Sequence, residues 1–139
     1  MEKRIETIEG FTVAGFEIKG SVEEIPALWD KLNAMLCDKE IAADDSFGIT
    51  MAINGSEFHY LAGVKAEWTE GVEGLISLTV PGGRFIVGTV EGGIEMIPAM
   101  FDTLMQTPDV EMRYSYGFER YIHPDPSKPY ETEVWVPIE

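Results

Sequence analysis

The chain has one cysteine, two histidines and ten basic residues against 25 acidic ones in 139 positions. A lone thiol, Cys37, excludes an intrachain disulfide and a thiolate-rich metal site, and suits a reducing cytoplasm. Near a helix end, with Lys39 as its one basic neighbour, Cys37 reads as a small packing residue. His59 and His123 stand without the Cys or His neighbours a transition-metal centre needs, so they read as surface histidines, and no metal or cofactor is expected. The formal net charge of −15 repels phosphates and anionic lipid, which argues against direct nucleic-acid or membrane binding. No run reaches the roughly 18 apolar residues a membrane span needs, and "MEKRIETIEGF" has no apolar stretch after its basic pair. The chain is expected to be soluble and cytoplasmic.

What is present is apolar and aromatic: 45% of residues are hydrophobic, with three Trp, five Tyr and seven Phe. That suffices for one domain, 1–139, with its own core. Residues 4–19, "RIETIEGFTVAGFEIK", are β-branched and aromatic, and Gly10 and Gly15 predict one long strand with a bend or bulge. Ser21 and Glu24 have capping-box spacing before a helix whose Ile25, Leu28, Leu32 and Leu36 share a face, with Trp29 beside them. "FGITMAI" and "EFHYLAGVKAEW", joined by Asn54-Gly55-Ser56, read as a hairpin, with Tyr60, Ala62, Val64 and Trp68 on one face of the second strand and His59 and Lys65 on the other. "LISLTV" and "RFIVGTV" flank a Pro81-Gly82 turn. A second helix carries Ile94, Ile97, Phe101 and Leu104 at helical spacing, and two final strands surround a proline-rich loop. The glycines of "GRFIVGT" imitate a phosphate loop, but there is no lysine and the stretch reads as a strand.

The chain also repeats itself. "VEEIPALWDKL" at Val22–Leu32 matches "IEMIPAMFDTL" at Ile94–Leu104, Ile97 lying 72 positions after Ile25, and the same offset sets "FHYLAGV" against "YETEVWV". Two strand-helix-strand-strand halves, about 1–70 and 71–139, therefore predict an α+β fold: tandem duplicated units, antiparallel sheets packed on two helices, related by a pseudo-twofold axis around a central cleft.

The acids and rings of the last third are the candidate chemistry. Alternation places Glu119 and Tyr121 on one face of "RYSYGFERY", and Glu131, Glu133 and Trp135 on one face of "YETEVWV". If these strands pair, Glu119 and Glu133 approach each other. A pocket walled by rings and floored by carboxylates attracts flat cations, and partial burial raises a carboxyl pKa toward the range of a general acid or base. The same alternation also describes an ordinary half-exposed strand.

"TVAGFEIKG", the Ile-Pro-x-Leu-Trp helix, "YLAGV", "VPGGRF", "GFERY" and "EVWVPI", in that order and over almost the whole chain, resemble the GyrI-like small-molecule-binding family, the effector-binding domain of AraC-type and multidrug-sensing bacterial regulators. The resemblance implies a tandem strand-helix-strand-strand fold and a central cleft for hydrophobic, often cationic aromatic compounds. It implies that Glu119 and Glu133 face such a ligand, with Tyr60 and Trp68 as aromatic walls. Tyr121 and Trp135, which share faces with the two acids, complete the set. No helix-turn-helix precedes these motifs, so a transcriptional role is expected to need another protein. Two alternatives stay open: a hydrolase of cyclopropane-bearing genotoxins using Glu119 and Glu133, and a gyrase-inhibitor-like protein acting on a protein partner. A homodimer also stays open.

Overall fold

Residues 4–19, expected as one bent strand, form two. The computed structural model describes residues 3–41, 43, 45–90, 96–113, 115–122 and 131–139, and in it β1 (Lys3–Ile8) and β2 (Phe11–Gly20) lie far apart in the same sheet. The reason is long-range pairing: β1 pairs with β6 (Gly83–Val90), whereas β2 pairs with β4 (Glu57–Lys65) and β5 (Ile76–Val80). The β1–β2 and β5–β6 connections meet at Gly10 and Gly82, where a Cβ on Gly82 would stand 2.6 Å from the backbone nitrogen of Gly10. Only residues without side chains allow that approach.

Eight strands make one antiparallel, curled half-barrel sheet in the order β1-β6-β8-β7-β3-β4-β2-β5, completed by β3 (Asp45–Asn54), β7 (Phe118–Ile122) and β8 (Glu131–Ile138). The expectation of separate sheets gives way because β3 and β7 pair directly and join everything into one. Gly55, at φ +66, closes the expected β3–β4 hairpin. The "GRFIVGT" stretch is strand β6, as its rejection as a phosphate loop required.

Helix α1 (Ile25–Asp38) follows a 3₁₀ turn at Val22–Glu24, where Glu24 accepts the Ser21 N–H at 2.8 Å; α2 spans Ile97–Met105. Each helix carries proline within its first two residues, where the missing N–H costs nothing. Both helices cover one face of the sheet. Leu28 and Leu32 of α1 pack on Tyr60 and Ala62, with Phe16 and Ile18 alongside, and Ile97, Met100 and Leu104 of α2 pack on Ile86, Val134, Val136 and Ile138. The other face curls around its own side chains: Val13, Phe47, Ile49, Leu61, Phe85, Phe118 and Trp135 form a cluster of sheet residues. Burial of each such side chain contributes about 1.5–3 kcal/mol, so the two faces form separate cores that share one backbone layer. Cys37, expected inside, is exposed on α1, because the buried stripe of Leu28 and Leu32 turns it toward water. No helix among the described residues is long and apolar enough to cross a membrane.

Candidate functional site

The β3–β7 seam lies at the middle of the sheet order, and its register sets Gly48 directly opposite Glu119. Alternation along β7 sends Glu119 and Tyr121 to the helix-covered face, while Phe118 and Arg120 go to the curled face. Glu119 is 7% exposed, yet among the described residues no basic side chain reaches it. Instead its Oε1 accepts the Tyr121 hydroxyl at 2.8 Å and the Tyr60 hydroxyl at 3.1 Å. Trp29 Nε1 donates in turn to the Tyr60 oxygen at 3.2 Å, and the Trp29 ring stands edge-on to Tyr121 with centroids 5.0 Å apart. The room for this network comes from Gly48: a Cβ there would lie 2.0 Å from the Tyr60 hydroxyl and 3.0 Å from Glu119 Oε1.

The electrostatics follow from burial, with no counter-charge among the described residues. Burial pushes the Glu119 carboxyl up to about 7 from an ordinary 4.5, although the hydroxyls of Tyr121 and Tyr60 pull it down. Burial, and then the neighbouring Glu119 charge, hold the Tyr60 phenol well above its ordinary value, so it remains a donor. The site is therefore a buried acid that changes charge near neutrality, held by two phenols and roofed by an indole.

Glu133 does not join it. β7 and β8 pair Glu119 with Val134 and Arg120 with Glu133, so Glu133 lies on the opposite, curled face, and the expected convergence of the two acids is overturned. There Glu133 Oε2 accepts from Arg4 Nη2 at 2.7 Å, and Oε1 accepts from Arg120 Nη1 at 3.4 Å and Trp135 Nε1 at 3.1 Å. The hydrogen bond to Glu133 holds the Arg4 guanidinium above its ordinary value. Trp135 stacks on Phe118 at 5.4 Å in the curled core, also away from Glu119.

Trp68 is elsewhere again. Strand β4 ends at Lys65 and residues Ala66–Trp68 form a 3₁₀ turn, so the alternation that put Trp68 beside Tyr60 stops short of it. Trp68 lines a surface hollow of about 430 Å³ with Lys39, Ile41, Glu70 and Val72, none of them a partner of Glu119. The charged residues of this hollow, Lys39, Glu70 and Glu73, already face water. Of the six expected residues, Glu119, Tyr60 and Tyr121 come together, and Glu133, Trp135 and Trp68 do not. Trp29 and Gly48 belong with the first three; the signal for Trp29 was its place opposite Phe101 in the repeated helices, and Phe101 itself packs, like Tyr121, against the α2 cluster. Among the described residues His59 pairs with Glu17 at 2.6 Å, and no cluster fit to hold a metal forms. His123 lies outside the described residues.

The chain belongs to the GyrI-like family, small molecule binding domains, whose model matches residues 1–139. Among solved structures it is similar to SAV2435 bound to tetraphenylphosphonium, at 14% identity and TM-score 0.71, covering 100% of this chain and 94% of that one. It is similar to EcmrR in a DNA complex, at 12% identity and TM-score 0.72, covering 99% of this chain but 57% of that one. A hydrolase from Listeria innocua matches at 10% identity and TM-score 0.64, over 99% of this chain and 92% of that one. At such identities the likeness is one of fold. No curated protein matches the chain.

Proposed function

We propose that this protein binds hydrophobic aromatic cations over Glu119, at the seam between α1 and α2. The observation that carries the reading is a buried carboxyl surrounded by phenol and indole groups, with no basic partner among the described residues. A cation supplies the missing charge, strengthened by the low local dielectric, while the rings of Trp29, Tyr60 and Tyr121 offer their faces to it. Access requires the Trp29–Tyr121 edge contact to part. The tetraphenylphosphonium held by SAV2435 is the appropriate first probe. A lone exposed thiol supports a reducing, cytoplasmic setting.

The halves 1–70 and 71–139 are, in the same reading, a tandem duplication about a pseudo-twofold axis. Two features support it: the sheet order reads the same from either end once each strand is exchanged for its counterpart 72 positions away, and Gly10 and Gly82, also 72 apart, meet at the crossing. The seam over Glu119 would then lie on the axis, where both halves contribute walls.

Calorimetric titration of tetraphenylphosphonium decides the binding reading. Affinity is expected to rise about tenfold from pH 6 to pH 8, as the ionised fraction of Glu119 grows through its midpoint near 7, and to fall about tenfold or more at pH 8 in Glu119→Gln. Unchanged affinity in that variant would sink it. A second reading, hydrolysis of a strained electrophile with Glu119 directing water, is favoured by the titration of the same carboxyl near neutrality. Turnover of a cyclopropane-bearing compound, lost in Glu119→Gln, would establish it.

A further inference from the structure

The curled face has its own opening. A cavity of about 240 Å³ sits between the β1–β2 connection and β3, floored by Phe11, Phe47, Phe118 and Trp135. Those rings hold one another at centroid distances of 5.0–5.8 Å, and Phe47, Phe118 and Trp135 are buried. Asp45 forms part of the same wall. It is 4% exposed; its Oδ2 accepts Arg120 Nε at 2.8 Å, but among the described residues its Oδ1 has no hydrogen-bond partner. A buried carboxylate oxygen without a donor is a costly arrangement that a ligand can relieve.

The charges say what kind of ligand. Glu9 and Asp45 are balanced by Lys65 and Arg120 along the lining, and behind Arg120 the Glu133 carboxylate is matched by Arg4. Described lining residues with no net charge between them give a full cation or anion little advantage, in contrast to the seam at Glu119. An apolar cavity of about 150 Å³ holds one benzene, so 240 Å³ suits one or two fused rings. We propose that this cavity is a second small-molecule site, taking a neutral mono- or bicyclic aromatic compound whose single N–H or O–H donates to Asp45 Oδ1 while its ring packs on Phe11, Phe47, Phe118 and Trp135.

Indole tests this on the wild-type protein. Calorimetry, with the Trp135 Nε1–H resonance as a local reporter, should show indole binding about tenfold or more tightly than 1-methylindole, which keeps the rings and lacks the donor. In Asp45→Asn, Arg120 retains the side-chain oxygen and the amide turns its NH₂ into the cavity. Indole affinity should then fall about tenfold, and quinoline, an acceptor of the same size, should gain. Equal binding of indole and 1-methylindole, binding of neither, or displacement of indole by tetraphenylphosphonium would overturn the assignment. If Asp45→Asn does not fold, the comparison of the two indoles on the wild-type chain decides alone, and it does so whether or not Glu119 binds cations.

Discussion

Glu119 and Glu133 stand on paired strands and are almost equally hidden, at 7% and 6% exposure. Their surroundings are opposite. Glu133, on the curled face, lies between the guanidinium groups of Arg4 and Arg120; Glu119, on the helix face, has among the described residues only the hydroxyls of Tyr60 and Tyr121. Burial depth therefore does not decide what a carboxylate is for; the charge of its partners does. Glu133 is an internal fastening whose charge is already spent, whereas Glu119 keeps an interaction available.

The strongest way to break the comparison is to strip the countercharge from the fastened side. Arg120→Met keeps the apolar stem but removes the donors to both Asp45 and Glu133, leaving Asp45 without its ion-pair partner and Glu133 with the Arg4 guanidinium and the Trp135 N–H. Loss of one partner from a buried ion pair typically costs about 3–5 kcal/mol; Arg120 is itself about a third exposed, so the expected loss is near the lower end, about 3 kcal/mol by urea unfolding at pH 7. A change below about 1 kcal/mol would mean that the Glu133 network is ornamental and that the two acids are less different than drawn.

The second comparison uses pH. The Glu119 carboxyl titrates near 7 when folded and near its ordinary 4.5 when unfolded, so the folded state holds the proton more tightly. Its contribution is fully present below about pH 4.5 and is lost as pH rises through 7. At 1.36 kcal/mol per pH unit, that gap is worth roughly 3 kcal/mol at most. The stability of Glu119→Gln relative to wild type should accordingly climb between pH 5 and pH 8, by somewhat less than that limit. A flat difference across this range would show that Glu119 is not the titrating acid.

Much of this was legible. The alternation within β7 and β8 correctly grouped Glu119 with Tyr121 and Glu133 with Trp135, and the helical stripes through Leu28, Leu32 and Leu104 are the buried ones. What alternation does not contain is register. Whether the Glu119 face of β7 meets the Glu133 face of β8 depends on a shift of one residue, and the observed pairing of Phe118 with Trp135 excludes it. The same kind of long-range choice split residues 4–19: Gly10 marked the interruption, but only pairing with β5 and β6 turns a bulge into two strands. Arg4 lies 129 positions from Glu133, beyond any local pattern. Trp68 fell outside the site because the 3₁₀ turn at Ala66–Trp68 ended the strand without glycine or proline to announce it.

The finest test lies within the Glu119 network. Its two phenols are not equivalent: Tyr121 donates over 2.8 Å, Tyr60 over 3.1 Å while also accepting from Trp29, and the Tyr121 hydroxyl is the larger of the two influences lowering the carboxyl pKa. Tyr121→Phe should therefore raise the Glu119 midpoint further than Tyr60→Phe does. A hydrogen bond to a charged group contributes about 1.5–3 kcal/mol and one to a neutral group about 1, so Tyr121→Phe should cost about 1 kcal/mol more at pH 8, with Glu119 ionised, than at pH 5, with it protonated. Following the carboxyl carbon of Glu119 by NMR through the titration gives the midpoint directly. If both substitutions leave it unmoved, the hydroxyls merely fill space beside the acid, and burial alone must account for its distance from Glu133 in behaviour.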